Sequence, residues 1–258
     1  MDYTAIKLDI ADDIATITLS RPKVMNALNG QMRAEITHAV KACETEARVI
    51  VLTGEGRAFC SGQDLGDGGN AANIDLERTL RDEYIPMLRA IMQCSLPTIA
   101  AVNGPAAGAG ANLALACDVV IASEDAYFVQ AFTRIGLIPD AGGTYWLPRQ
   151  VGAARAMGAA LFADKIGARQ AADWGMIYEA IEAGAFPTHW RARAAHLAKG
   201  PTLAYRHLKQ ALRESQDNDL EAQLLLEARL QGKCGQTRDF QEGVVAFLEK
   251  RPARYEGR

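Results

Sequence analysis

Two glycine-rich stretches of this sequence each follow a run of β-branched residues, and each could present bare backbone N–H groups to a ligand. The first is Arg57-Ala-Phe-Cys-Ser-Gly-Gln-Asp-Leu65, after Val49–Thr53; the second is Asn103-Gly-Pro-Ala-Ala-Gly-Ala-Gly-Ala-Asn-Leu113, after Thr98–Val102 and ahead of a helical segment. Glycine lets the chain turn sharply and approach an acceptor closely, and a helix start leaves its first N–H groups unpaired. A pair of such donors suits an oxygen on which negative charge develops during a reaction. An acid, Asp140, stands in a third loop, Gly136-Leu-Ile-Pro-Asp-Ala-Gly-Gly143. There the residues also make good turn and helix-cap chemistry, so a purely structural acid is the competing reading.

Other chemistries find less support. The second stretch has the outline of a dinucleotide fingerprint, but Leu113 stands where the third glycine belongs, and no GxxxxGK[ST] phosphate loop occurs. The cysteines, Cys43, Cys60, Cys94, Cys117 and Cys234, form no CxxC pair and no metal-ligand spacing with a histidine, so no metal site is expected. His38, His189, His196 and His207 fall in helical stretches and receive no catalytic role. A formal net charge of -3 gives no global basic field, which argues against nucleic acid as a partner.

The elements that must position these loops alternate. Ile14–Leu19, Val49–Thr53, Thr98–Val102 and Val119–Ala122 read as buried strands, with Tyr127–Val129 and Met176–Ala180 as weaker ones. Gln31–Glu46 and Leu76–Gln93 read as helices between them, which implies an α/β architecture with a parallel sheet. From about Pro187 strand signals stop and helical spacing takes over, at His189–Ala198, Pro201–Arg213, Leu220–Gln231 and a shorter segment through Phe247. A core of residues 1–199 and a helical region of residues 200–258 are expected, divided at Lys199-Gly200-Pro201. Gly66-Asp-Gly-Gly-Asn70 is expected to edge the pocket without regular structure. With 49% apolar and 23% charged residues the chain can bury a sizeable core. The apolar stretch Pro97–Ala122 is too interrupted by Asn103, Pro105, Asn112 and Asp118 for a lipid span, so no membrane partner is expected. Met1-Asp-Tyr-Thr4 opens no secretory signal, so no export is expected, and the scattered, odd-numbered cysteines fit a reducing, cytoplasmic setting.

Ala58-Phe-Cys-Ser-Gly-Gln-Asp-Leu65 and Ala101-Val-Asn-Gly followed by Gly108-Ala-Gly-Ala-Asn-Leu-Ala-Leu-Ala-Cys-Asp118 resemble the paired signatures of the crotonase (enoyl-CoA hydratase/isomerase) superfamily. The resemblance extends through Leu19-Ser-Arg-Pro, Met25-Asn-Ala-Leu28, Ile135–Thr144, Ala171-Ala-Asp-Trp-Gly-Met176 and Phe240–Arg251. It implies the crotonase (ClpP-like) spiral of ββα units with a C-terminal helical region, and a homotrimer or hexamer. It also implies an acyl-CoA thioester as substrate, with no cofactor beyond the CoA that the substrate carries.

Carried over residue by residue, the backbone N–H groups of Gln63 and Ala109 would form the oxyanion hole that stabilises a thioester enolate, with Gly62, Gly108 and Gly110 permitting close approach. By the same resemblance Lys23 with Arg21, Ser61 and Asp64, and Phe247 with Lys250 from the last helix of this chain or of a neighbouring subunit, would bind the CoA. Asn112 and Phe132 stand where hydratases carry two glutamates, and neither can be a carboxylate base; both are candidates to line the substrate pocket, with local hydrogen bonding as the other role open to Asn112. Asp140 stands where several isomerases of the family carry an acid, and one acid suffices to move a proton from one carbon to another. Walled by Phe132, Ile138 and Trp146, it is expected to have a raised pKa. Within the superfamily the pattern is most similar to ring 1,2-epoxyphenylacetyl-CoA isomerases and to 3-enoyl-CoA isomerases. A hydratase-like enzyme and a catalytically silent acyl-CoA binder remain as alternatives, and so, with less support, does an RNA-binding relative. The pocket volume that sets acyl preference is expected to involve Phe132, Tyr84, Met87 and Trp146.

Overall fold

The computed structural model describes residues 2–66 and 75–258; residues 67–70 of the glycine-dense stretch lie outside them. The chain opens with the hairpin β1 (Ile6–Ala11) and β2 (Ile14–Leu19), then α1 (Gly30–Cys43) and β3 (Val49–Gly54). Next come α2 (Leu76–Thr79), a π-helical turn (Leu80–Tyr84) and α3 (Ile85–Gln93), then β4 (Thr98–Val102), β5 (Ala106–Ala107), α4 (Ala109–Leu115), β6 (Val119–Ser123) and β7 (Tyr127–Val129). A 3-10 turn (Ala131–Ile135) leads to α5 (Gly143–Phe162), β8 (Ile166–Gly167), α6 (Ala168–Asp173) and β9 (Glu179–Ile181). The rest is helical: α7 (Phe186–Ala198), α8 (Thr202–Glu214), α9 (Leu220–Cys234) and α10 (Arg238–Glu249).

Among the described residues the main sheet runs in the order β1-β2-β3-β4-β6-β9 and a smaller one in the order β5-β7-β8. Beyond the antiparallel β1–β2 hairpin every pairing of the main sheet is parallel. Parallel strands need both faces covered, and the period-2 alternation supplies two apolar sets. Ile50, Leu52, Ala100, Val102, Val120 and Ala122 face the larger core with α1, α3 and α4. Val49, Val51, Ile99, Ala101 and Ile121 face Phe186, Trp190, Ala194 and Ala198 of α7. Each fully buried Val, Leu or Ile contributes about 1.5–3 kcal/mol.

The expected strands are present, the last of them shifted from Met176–Ala180 to Glu179–Ile181. Five elements had no counterpart in the sequence reading, the two-residue strands β5 and β8 among them. β1 is an edge strand in which Ile6 alone is buried, so it carries no apolar run. α5 contains Pro148 and bends at Gly152 (φ 79°, ψ 161°), so helix breakers interrupt its signal. α6 is six residues long. Among the described residues no helix is long and apolar enough to cross a membrane, and no group of three metal-ligating side chains occurs.

Candidate active site

The two glycine-rich loops leave neighbouring parallel strands at the same end of the sheet, and polar side chains sew them together. Asn103 accepts from the Gly54 N–H at 3.0 Å and donates to the Gly56 carbonyl at 3.0 Å. Asn26, fully buried in a left-handed conformation (φ 57°), donates to the carbonyls of Ala58 at 2.8 Å and Phe59 at 3.2 Å. These bonds fix the Arg21–Leu28 loop and the Phe59–Leu65 loop as one surface.

Along that surface the chain runs parallel to the second loop. Cys60 bridges Ala106, and the Ala107 N–H donates to the Cys60 carbonyl at 2.9 Å. Gly62 has φ +96°, and a Cβ there would lie 2.8 Å from the Ala107 carbonyl oxygen and 3.4 Å from the Ala109 nitrogen. A Cβ on Gly110 would lie 2.7 Å from the Cys60 Sγ. Only glycine allows this approach, and it sets Gln63 beside the first turn of α4. Leu28 donates to the Gly62 carbonyl and accepts from the Asp64 N–H, so the ladder uses the residues flanking Gln63 and leaves its N–H turned the other way. Among the described residues neither the Gln63 nor the Ala109 N–H has a protein acceptor. The Cys60 thiol, pushed up to about 12 by burial, stays protonated and bonds to the Asn26 carbonyl at 3.1 Å, which removes it as a nucleophile.

Asp140 sits on the loop before α5. Its backbone carbonyl accepts from the Gly143 N–H at 2.8 Å and from the Asn112 side chain at 2.7 Å. The carboxylate is held differently: Oδ1 is buried and has no hydrogen-bond partner among the described residues. The N-cap position of α5 is Gly142, so Asp140 is not the capping acid that its turn sequence would allow. Burial alone pushes its pKa up to about 6, because desolvation penalises the charged form and, among the described residues, no cation or donor offsets it. The acids Asp64 and Glu83 are engaged elsewhere, by Arg21 at 2.7 Å and Arg33 at 2.6 Å.

Of the expected site residues, Ser61, Gly62, Gln63, Asp64, Ala109 and Gly110 share the crossed-loop surface. Phe132 joins them, its ring 3.6 Å from where a Gly108 Cβ would be. Lys23 is exposed on the Pro22–Val24 turn, which the Ser61 hydroxyl ties to the surface through the Val24 carbonyl at 3.1 Å. Two expectations, for Asn112 and Ile138, need correction. Asn112 is fully buried and its amide is committed to Gln130 and to the Asp140 carbonyl, so it holds the Asp140 loop instead of touching a substrate. Ile138 is 76% exposed and does not wall Asp140. Phe247, 82% exposed, borders an apolar groove among α8, α9 and α10, and Lys250 ends α10 in the open; within one chain neither is brought to the acyl site. Met87 is buried in the core.

Sequence reasoning missed Arg33 and Gln130. Arg33 is a charge on the buried face of α1, between Met32 and Ile36, and that break in the apolar stripe was the available signal.

The residues 9–258 match the model of the family described as enoyl-CoA hydratase/isomerase. A relative from Rhodobacter capsulatus described as a probable enoyl-CoA hydratase is 63% identical over the whole of both chains. The 1,2-epoxyphenylacetyl-CoA isomerase of Escherichia coli is 42% identical over 95% of each chain. A solved enoyl-CoA hydratase subunit from Geobacillus kaustophilus superposes with a TM-score of 0.93 at 34% identity, covering both chains completely. The crossed glycine loops thus sit on the crotonase fold, and this chain belongs to the enoyl-CoA hydratase/isomerase family.

Proposed function

We propose that this protein is an acyl-CoA isomerase that works through a thioester enolate with Asp140 as its one proton carrier. The observation that carries the reading is the Asp140 carboxylate, buried with one oxygen unpartnered, whereas Asp64 and Glu83 are paired to arginines. The thioester oxygen would lie between the Gln63 and Ala109 N–H groups, whose fixed dipoles favour it most when it carries negative charge. Asp140 takes a proton from C2 of a 3-enoyl-CoA, the electron pair moves onto the thioester oxygen, and the dienolate spreads to C4. The same carboxyl returns the proton at C4, which leaves the 2-enoyl isomer and the ionised base. A ring 1,2-epoxide of phenylacetyl-CoA and its oxepin are isomers as well, so the same site needs no further reactant for that conversion.

Hydration is the second reading, favoured by the description of the Rhodobacter capsulatus relative. Against it, the positions aligned with a hydratase's two glutamates hold Asn112, locked in the core, and Phe132, an apolar ring. In the proposed complex Lys23, Arg21, Ser61 and Asp64 line the mouth for the CoA, and Phe247 and Lys250 reach it from a neighbouring copy in a trimer or hexamer. The CoA belongs to the substrate and the scheme needs no other cofactor. A cytoplasmic setting suits the free cysteines, of which Cys43, Cys60 and Cys94 are buried. The test is double-bond migration and α-proton exchange on a 3-enoyl-CoA in deuterated buffer, native protein against Asp140→Asn. Loss of both in the variant with CoA binding retained supports the single-base isomerase. Equal activity in the variant, or water addition by the native protein without migration, overturns it.

A further inference from the structure

The Gln63 side chain sits in a buried clamp. Its Oε1 accepts from Arg33 Nη1 at 2.9 Å and from the Tyr84 hydroxyl at 2.6 Å. Arginine can only donate, which fixes the amide with its oxygen towards Arg33. Arg33 is 3% exposed and gives its other N–H groups to the Leu28 carbonyl at 2.6 Å and to Glu83 at 2.6 and 3.0 Å. Its guanidinium also lies 4.8 Å from the centroid of the Tyr84 ring.

An arginine buried this far needs its hydrogen bonds satisfied, but that need could be met by any carbonyls. Here the partners converge on one residue. Leu28 is the strand neighbour of Gln63, donating to the Gly62 carbonyl at 2.8 Å and accepting from the Asp64 N–H at 3.1 Å. The guanidinium therefore holds the Gln63 side chain directly, and through the Leu28 carbonyl it holds the Asp64 N–H, the next link of the backbone. The π-helical turn Leu80–Tyr84 supplies Glu83 and Tyr84 to the same grip, and π-turns are concentrated at working sites. Tyr84 lies close enough to Asp140 to sense its charge, so the clamp reaches from the donor loop towards the base.

We propose that Arg33, acting through the Gln63 carboxamide with Tyr84 as the second donor, is a positioning residue that sets the direction of the Gln63 N–H towards the substrate's thioester oxygen. This rests on the reading of Gln63 as one of the two carbonyl donors. Backbone donors act through geometry, and a misplacement of about 1 Å lowers a rate by about 10²-fold. The clamp is then as necessary to the oxyanion hole as the glycines that open it.

The test reads carbonyl polarisation directly, without turnover. 4-(Dimethylamino)cinnamoyl-CoA has a conjugated acyl group whose absorption moves to longer wavelength when donors pull on its thioester oxygen. The red shift on binding is measured for the native protein, Asp140→Asn, Gln63→Leu, Gln63→Glu and Arg33→Met, with affinity taken from equilibrium dialysis. The native protein and Asp140→Asn are expected to shift the band. Gln63→Leu, which keeps the backbone N–H but removes the handle, is expected to lose most of the shift while affinity changes less than about threefold, with kcat down about 10²-fold. Gln63→Glu keeps an acceptor for Arg33 and Tyr84 and is expected to restore the shift. Arg33→Met should match Gln63→Leu, and if it fails to fold the Gln63 pair still decides. A full shift in Gln63→Leu overturns the clamp alone. No shift in the native protein overturns the donor pair and the clamp with it.

Discussion

The Asp140 carboxylate is held where one of its oxygens meets no donor, and that arrangement sets turnover against stability. With its pKa raised to about 6 by burial, the group must be ionised to serve as the base of the proposed reaction, so on that proposal kcat/KM is expected to fall on the acid side below about pH 6. The linkage runs the same way. The folded state binds this proton more tightly than the unfolded chain, so the stability it contributes is complete below about pH 4 and is lost as pH rises through about 6. Asp140→Asn is therefore expected to unfold at higher urea concentration than the native protein at pH 8, by about 1–3 kcal/mol, with the gap closing as the pH is lowered towards 4. An unchanged midpoint across that range would mean that the carboxylate is not desolvated. Asn112 predicts the opposite balance. Asn112→Leu removes both amide bonds to Gln130 and one of the two donors to the Asp140 carbonyl, and is expected to cost about 2–4 kcal/mol by thermal unfolding, with activity falling as the loop loses its anchor. Asp140 and the glycines were legible because their motif stands in contiguous sequence. Arg33, Gln130 and the true work of Asn112 were not, since each depends on partners that lie 18 to 50 residues away along the chain.

At the level of elements, the site exists because two strand ends and the loops that follow them can touch. Gly62 and Gly110 are the contact points, and a methyl group on either would push the loops apart against backbone or sulfur atoms. Gly62→Ala adds a positive φ to the clash and is expected to lower kcat by about 10²-fold while destabilising the fold by about 1–3 kcal/mol, read by turnover and urea unfolding. The strands that carry these loops were readable from their β-branched runs, because a parallel strand buried on both faces needs an unbroken apolar sequence. α5 was not readable, since Gly143, Pro148 and Gly152 interrupt a helix that packing nonetheless sustains through Leu147, Val151, Ala156 and Ala159. β1 escaped for a related reason. Its outer residues face solvent, and the Asp12-Asp13 turn that joins it to β2 takes two left-handed residues without the glycine that usually announces them.

For the whole molecule, the helical tail is joined to the core by charge and by a few long side chains. Asp118, at the foot of β6, takes the Thr98 N–H and hydroxyl from β4 and pairs with Lys209 at 2.7 Å and Arg213 at 2.6 Å on α8. The same tail leaves Leu212, Leu220, Leu225, Phe247 and Leu248 more than 60% exposed, and α5 exposes Leu161 and Phe162 to 60% and 74%. That much apolar surface fits contact with further copies of the chain, so sedimentation is expected to give the mass of three or six chains of 27.8 kDa. A lone chain at micromolar concentration would count against it. The helical character of the tail was legible in the sequence, whereas which of its faces stay uncovered was not, because that depends on how α8, α9 and α10 lean on one another. The order of the main sheet, β1-β2-β3-β4-β6-β9, never steps backwards along the chain. As the nascent polypeptide leaves the ribosome, each new strand finds the growing edge already formed, and none has to be inserted between two earlier ones. The long loops of a parallel sheet ordinarily slow its folding, but here they close one at a time and in the order of synthesis, so an incomplete chain carries one waiting edge from its first hairpin to its last strand.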